Sequence, residues 1–490
     1  MSPSAAPLKV LFVTSEIFPL VKTGGLADVS AALPAALRAL GADVRVLLPA
    51  YPALLKGTAV KWVVAHGLFE FGEVRVLSAN LPGDVPALLV DYPPLYHREG
   101  GPYQDRHGHD WHDNALRFGL LSRVAALLAS GQSPLSWRPD ILHCNDWQAG
   151  LAPAHLHYLP GPKAVTVMTV HNLAYQGVFP LDTALKLGLP PASLGMDGVE
   201  YYGEMSFLKA GLHYADQITT VSPTYAEEIQ TDHLGFGMQG LLRQRKERLS
   251  GILNGIDCHA WNPEADPLLA APYGLKNLKA KDENKRALQE RLGLAVDPKV
   301  PLLAVISRLT HQKGQDLILA AAQELLSMPA QLVLLGSGDK HLEQAFLGLA
   351  STHPGQVAVH IGYNEGLAHL AEAGADIFLM PSRFEPCGLN QMYSMHYGTP
   401  PVVFATGGLA DTVVDCTPET LAAGTATGFV FDAMSEEAFL AAVQRAVTAF
   451  RDKKTWRQLQ ENGMKADFSW EHSGARYLDL YRRLLAERGR

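Results

Sequence analysis

Short apolar runs rich in β-branched residues recur along the chain, most of them followed by helical periodicity. In the first half they lie at 8–14, 44–48, 87–90, 141–144, 165–170 and 218–221. In the second they lie at 302–306, 332–335, 357–361, 377–380, 402–404 and 429–431. Runs without polar alternation suit strands buried on both faces, as in a parallel sheet covered by helices. Strand and helix alternating in this way predict a doubly wound α/β fold. The pattern repeats, so two similar sheets are expected, facing across a cleft. Between them the chain turns to Asn254-Gly255 and Trp261-Asn262-Pro263, then to a charged stretch at 276–291. This reading gives a first domain over 1–252, a linker over 253–263, a second domain over 264–470 and a tail over 471–490.

Open α/β sheets bind ligands beyond the carboxyl ends of their strands, so polar residues after the apolar runs are the candidates. The run 302–306 ends in Ser307-Arg308, and Lys313-Gly314 precedes a helical pattern from Asp316 to Leu326. Arg supplies a planar fork and Lys a point charge, which together would clamp a diphosphate beside a helix amino terminus. The bland alternative is two solvated cations in a turn. The first run leads to Lys22 and Gly24-Gly25, where backbone could approach a ligand closely. His143 to Gln148 follow Ile141-Leu142 of the fourth run, and His171-Asn172 the fifth; a lone His there is more often structural, but several such ends on one sheet edge favour a site.

In the second half the strand ends bear Gly336 to Asp339, Gly362-Tyr363 and the segment 381–391, with Glu385, Cys387, Gly388, Leu389 and Asn390. Cys387 has no evident His–Asn partner spacing, so it reads as packing or substrate contact rather than a nucleophile. A second glycine pair, Gly407-Gly408, precedes Asp411. The glycine-rich stretch 96–114 holds His97, His107, His109 and His112 without helical or C-x-x-C spacing, which favours a loop over a metal site.

Composition narrows the class. The net charge of −8 argues against a nucleic-acid surface, although not against a local basic cleft. The four cysteines are scattered, which suits a reducing cytoplasm and gives no metal or disulfide framework. Residues 1–7 carry no signal-peptide pattern, and no apolar run approaches the ~20 residues of a membrane span. A soluble cytoplasmic protein is expected. A nicotinamide oxidoreductase is disfavoured because no G-x-G-x-x-G fingerprint is present.

The assembled residues resemble the bacterial glycogen synthases, or starch synthases, of glycosyltransferase family five. The matching segments include K-T-G-G-L-A-D-V (22–29), P-Y-x-D (102–105), D-W (146–147), H-N-L-A-Y-Q-G (171–177), L-N-G-I-D (253–257), S-R-L-T-x-Q-K-G (307–314) and R-F-E-P-C-G-L (383–389). The resemblance implies a GT-B fold, with two Rossmann-like domains and a last helix returning to the first. It implies retaining transfer of glucose from ADP-glucose to the non-reducing end of an α-1,4-glucan such as glycogen, without metal or other cofactor. Carried over, Arg308 and Lys313 clamp the diphosphate, joined by Lys22 and Gly25 when the cleft closes. His171 contacts the glucose with Asn172 beside it, and Glu385 bonds a glucose hydroxyl. The Gly388 and Leu389 amides face phosphate, in a donor segment that also holds Cys387 and Asn390. Tyr363 lies against adenine, Asp28, Asn254 and Asp146 line the cleft, and Tyr103 serves the acceptor side. The chain departs from the pattern at Asn145 and Gln148, where many relatives have His, at His396, where Arg is common, and at 237–240. A catalytically dead glucan-binding protein and an enzyme using UDP-sugars remain as alternatives.

Overall fold

In the computed structural model, residues 7–69 and 72–489 are described, so most of the amino-terminal stretch read for a signal falls outside. The chain divides into two compact units, Met1–Gly255 with Trp470–Arg490, and Ile256–Ser469. The division after Gly255 falls within the stretch 253–263. No described helix is long and apolar enough to cross a membrane.

The first unit is built on a sheet of nine described strands. In spatial order they are Leu249–Gly251, Gln217–Thr220, Val165–Val170, Ile141–Asn145, Lys9–Val13, Asp43–Pro49, Val85–Asp91, Gly72–Leu81 and Ala59–Phe69. The first seven run parallel; the last two add an antiparallel edge. The parallel strands at its centre are buried along nearly their whole length, as their unbroken apolar sequence requires. The last helix, Trp470–Arg488, packs in this unit: a Cβ at Gly474 would sit 3.3 Å from Ala36 of helix Gly25–Ala39. His143, fully buried on its strand, bonds the Tyr481 hydroxyl of that helix at 2.7 Å and Thr169 at 2.6 Å.

The second unit has six parallel strands in the order Val357–Ile361, Gln331–Gly336, Leu302–Ile306, Ile377–Met380, Pro401–Phe404 and Phe429–Phe431. The helical pattern over 316–326 is two short helices, Gln315–Ala320 and Ala322–Ser327. One apolar core, from Leu303 and Val305 to Phe439 and Trp456, lies on one face of this sheet, and a smaller cluster around Leu302, Val333 and Leu335 lies on the other.

Candidate functional site

In each unit the first strand is central and the chain winds away from it in both directions. Loops on either side of that reversal diverge and leave a crevice at the strands' carboxyl ends. In the second unit the reversal falls between Leu302–Ile306 and Ile377–Met380. The loops there are 307–314 and 381–389, so the fold brings the basic pair and the Glu385 segment to one place.

Lys313 Nζ meets Glu385 Oε2 at 2.5 Å, and the same oxygen accepts the Ser382 hydroxyl at 3.0 Å. Gly314 lets the loops touch: its φ is +71°, and a Cβ would lie 2.0 Å from the Pro381 carbonyl. Arg383, the other cation here, is committed to Asp316 through bonds of 2.7 and 2.6 Å. Arg308 is exposed, and among the described residues its guanidinium has no hydrogen bond or ion pair, although its carbonyl accepts from Thr310 N–H and the Ser307 hydroxyl, each at 3.1 Å. Asn390 ties the turn back to the strand, donating to the Ile306 carbonyl at 2.6 Å. Gly388 takes φ +73° just ahead of the helix Asn390–His396, for which Leu389 is the cap. Cys387 is buried. The pair Gly407-Gly408 supports this loop from below. Gly408 N–H donates to the Glu385 carbonyl at 3.1 Å, and a Cβ on Gly408 would strike Cys387 O at 2.0 Å. Tyr363 is 73% exposed, its hydroxyl bonded to Glu365.

The first unit's reversal lies between Lys9–Val13 and Ile141–Asn145. A residue missed in the sequence governs it. Glu16, buried, accepts the backbone N–H of Thr23 at 2.5 Å and of Gly24 at 3.1 Å, and the Tyr103 hydroxyl as well. Burial raises its carboxyl above the ordinary range, against those hydrogen bonds. Nothing in the sequence marks Glu16, because a single acid after a strand is commonplace; only the fold folds the 22–25 turn back onto it. Tyr103 also lies 2.8 Å from the Ser15 hydroxyl, so its polar end is committed inward. Lys22 pairs with Asp28 at 2.9 Å, and Gly25 opens the helix Gly25–Ala39 behind a Gly24 cap without side-chain help.

Across the reversal, Asp146 sits at φ +53° and accepts the His171 N–H at 2.7 Å. Burial pushes its pKa up to about 7, and nearby Glu16 adds to this. His171 Nε2 lies 3.0 Å from Asn145 Oδ1, and burial brings the imidazole down to about 3. Asn172 Oδ1 accepts Ala174 N–H at 3.1 Å. Asn254 is buried with Oδ1 lacking a hydrogen-bond partner among the described residues, an acceptor whose desolvation is uncompensated.

Other candidates serve the scaffold. His143 faces the terminal helix, its pKa lowered to about 3 by burial. Asp339 caps the helix Lys340–Thr352 through His341 N–H at 2.8 Å. Asp105 accepts the N–H groups of His107 and His109, and among the described residues no group of three or more His, Cys, Asp or Glu is placed to hold a metal.

Comparison with known proteins follows this geometry. Residues 9–244 match the family of the starch synthase catalytic domain, and 288–466 match glycosyl transferases group 1. The chain is 58% identical to a glycogen synthase of Nitrosospira multiformis, with 98% of each chain covered. It is 54% identical to glycogen synthase 1 of Methylococcus capsulatus, over 98% of this chain and 97% of that one. Among solved structures it resembles the catalytic domain of starch synthase IV from Arabidopsis thaliana, bound to ADP and acarbose. That likeness has TM-score 0.88 and 34% identity, over 98% of this chain and 100% of the other. A sucrose-phosphate synthase from Thermosynechococcus elongatus shares the fold, at TM-score 0.60 and 18% identity over 98% of this chain and 100% of that one.

Proposed function

We propose the activity of this chain from one premise: it belongs to the glycogen and starch synthase family of glycosyltransferases, with the GT-B fold. It transfers glucose from ADP-glucose to the non-reducing 4-hydroxyl of an α-1,4-glucan, glycogen in a bacterial cytoplasm, and releases ADP.

The observation that carries this is Arg308, an exposed guanidinium without a partner among the described residues, on the same strand-end loop as Lys313. Negative charge grows on the diphosphate oxygens as the glycosidic bond breaks, and cations placed there beforehand stabilise it most. Arg308 supplies a fork already available, while Lys313, held in place by Glu385, directs its remaining N–H donors at phosphate. His171 serves the transferring sugar with Asn172 beside it, Lys22, Gly25, Asp28 and Asn254 serve the donor, and Tyr103 and Asp146 the acceptor side. Tyr363, with its ring exposed, serves adenine, and Gly388, Leu389 and Asn390 the phosphate.

The reaction proceeds with retention and without metal. Glu385 has the right type for a double-displacement nucleophile, but its Oε2 holds Lys313 and Ser382. A carboxylate so engaged is a binding group. Attack is therefore from the leaving-group face: the acceptor oxygen bonds to the anomeric carbon, the bond to phosphate breaks, and the departing phosphate oxygen takes the acceptor's proton. Nucleoside-diphosphate release is the test, with glycogen as acceptor, ADP-glucose against UDP-glucose, with and without EDTA. Release that depends on glycogen, favours ADP-glucose, resists EDTA and falls about a hundredfold in Arg308→Ala is expected. A preference for UDP-glucose refutes the donor, loss in EDTA refutes metal independence, and silence with tight glycogen binding leaves a glucan-binding protein.

A further inference from the structure

Asn145 ends the strand Ile141–Asn145 fully buried, between the first strand and the loop of His171. Its Nδ2 lies 3.0 Å from the Val13 carbonyl. A carbonyl oxygen can only accept, so the amide nitrogen must face Val13 and Oδ1 must face the other way. There it meets His171 Nε2 at 3.0 Å. An amide oxygen is also only an acceptor, so the hydrogen sits on Nε2.

We propose that Asn145 is a positioning residue that holds His171 as the Nε2–H tautomer, leaving Nδ1 as an acceptor for a hydroxyl of the transferring sugar. This rests on His171 serving the sugar, as read above. The Val13 carbonyl makes the assignment firm, because a flipped amide would set two oxygens against each other at 3.0 Å. Burial brings the ring to about 3, and no charged neighbour adds to that effect, so the ring is neutral throughout the working range. The titratable groups around it are Asp146, which takes the backbone N–H of His171, and His143 on the same strand, itself neutral. A neutral ring with its one N–H committed cannot protonate a leaving group or attract phosphate. It can only accept, and thereby selects a donor carrying a hydroxyl at that point. Asn145 is also where many relatives were expected to have His, so the same duty there would require the substitute imidazole to accept at this position.

Nitrogen-15 NMR of histidine-labelled full-length chain tests this, with the His171 signals identified from His171→Gln. The expected spectrum shows hydrogen on Nε2 and no titration between about pH 5.5 and 8.5. In Asn145→Asp a carboxylate faces the ring and favours the imidazolium, raising its pKa. The expected rate profile then falls about tenfold per pH unit below that value, where the wild-type profile shows no such limb. Hydrogen on Nδ1 in the wild type, or an Asn145→Asp chain whose His171 signals and profile are unchanged, overturns the proposal. The NMR result needs no turnover, so a correct tautomer in a chain that transfers no glucose refutes the proposed function and leaves the positioning role standing.

Discussion

Asp146 combines a left-handed backbone, deep burial and a carboxyl pKa raised from 3.8 to about 7. The cause is chiefly burial, opposed by the N–H groups of His171 and Asn172. In the unfolded chain the same carboxyl ionises near 3.8. Between those values the folded protein keeps a proton that the unfolded chain has lost. Stability from this group is therefore complete below the lower value and declines as pH rises through the upper one. At ~1.4 kcal/mol per pH unit, the decline amounts to about 4 kcal/mol once the folded group is ionised. Asp146→Asn removes the ionisation while keeping an oxygen for the His171 N–H, and Asn tolerates positive φ as well as Asp does. The variant should match wild type near pH 4 and exceed it by up to about 4 kcal/mol near pH 8. Urea unfolding across that range, read from the first unit's own transition, measures the difference. A variant less stable than wild type near pH 8, or a gap that does not change with pH, would refute the reasoning.

Three further outcomes follow from contacts described above. Lys313→Met strands the buried Glu385 carboxylate and should cost the second unit ~3–5 kcal/mol, most of it recovered when Glu385→Gln is added; strictly additive single effects in unfolding would count against a coupled pair. Glu16→Gln weakens the hold on Thr23 and Gly24, so hydrogen exchange at those two amides should quicken by about tenfold or more; unchanged exchange would show that the turn holds itself. Tyr481→Phe leaves His143 Nδ1 buried without a partner and should destabilise the first unit by ~1–3 kcal/mol by thermal unfolding, whereas no loss would mean that the helix docks by apolar packing alone.

The parallel strands were legible because burial on both faces leaves an unbroken apolar run: 165–170, 302–306 and 377–380 match the observed strands end to end. The antiparallel strands Ala59–Phe69 and Gly72–Leu81 were not read; the former holds only the short run 62–65, and the latter alternates buried and half-buried positions along much of its length. The polar alternation of Gly72–Leu81 hid it from a search for apolar blocks. Arg308, Lys313 and Glu385 were legible because charge at a strand end is conspicuous, but that Lys313 and Glu385 meet depends on strand order rather than on spacing. Gly407-Gly408 stood out in the sequence only as a second glycine pair; in the structure it is a place where two backbones nearly touch. Glu16 and Asn145 went unassigned for the same reason in reverse, since each is an ordinary residue whose importance comes from what packs against it.

The terminal helix has a consequence for biosynthesis. The second unit is spliced into the first, and its two ends are stitched together by the Ile256 N–H to Phe468 carbonyl bond of 2.8 Å. A ribosome delivers every strand of the first sheet before it starts the second unit, yet Tyr481, the partner of His143, is among the last residues to emerge. The first unit thus waits, Nδ1 of His143 without its partner, while some two hundred residues are made. A nascent chain stalled at residue 255 should accordingly remain open to chaperones and proteases that the finished chain resists.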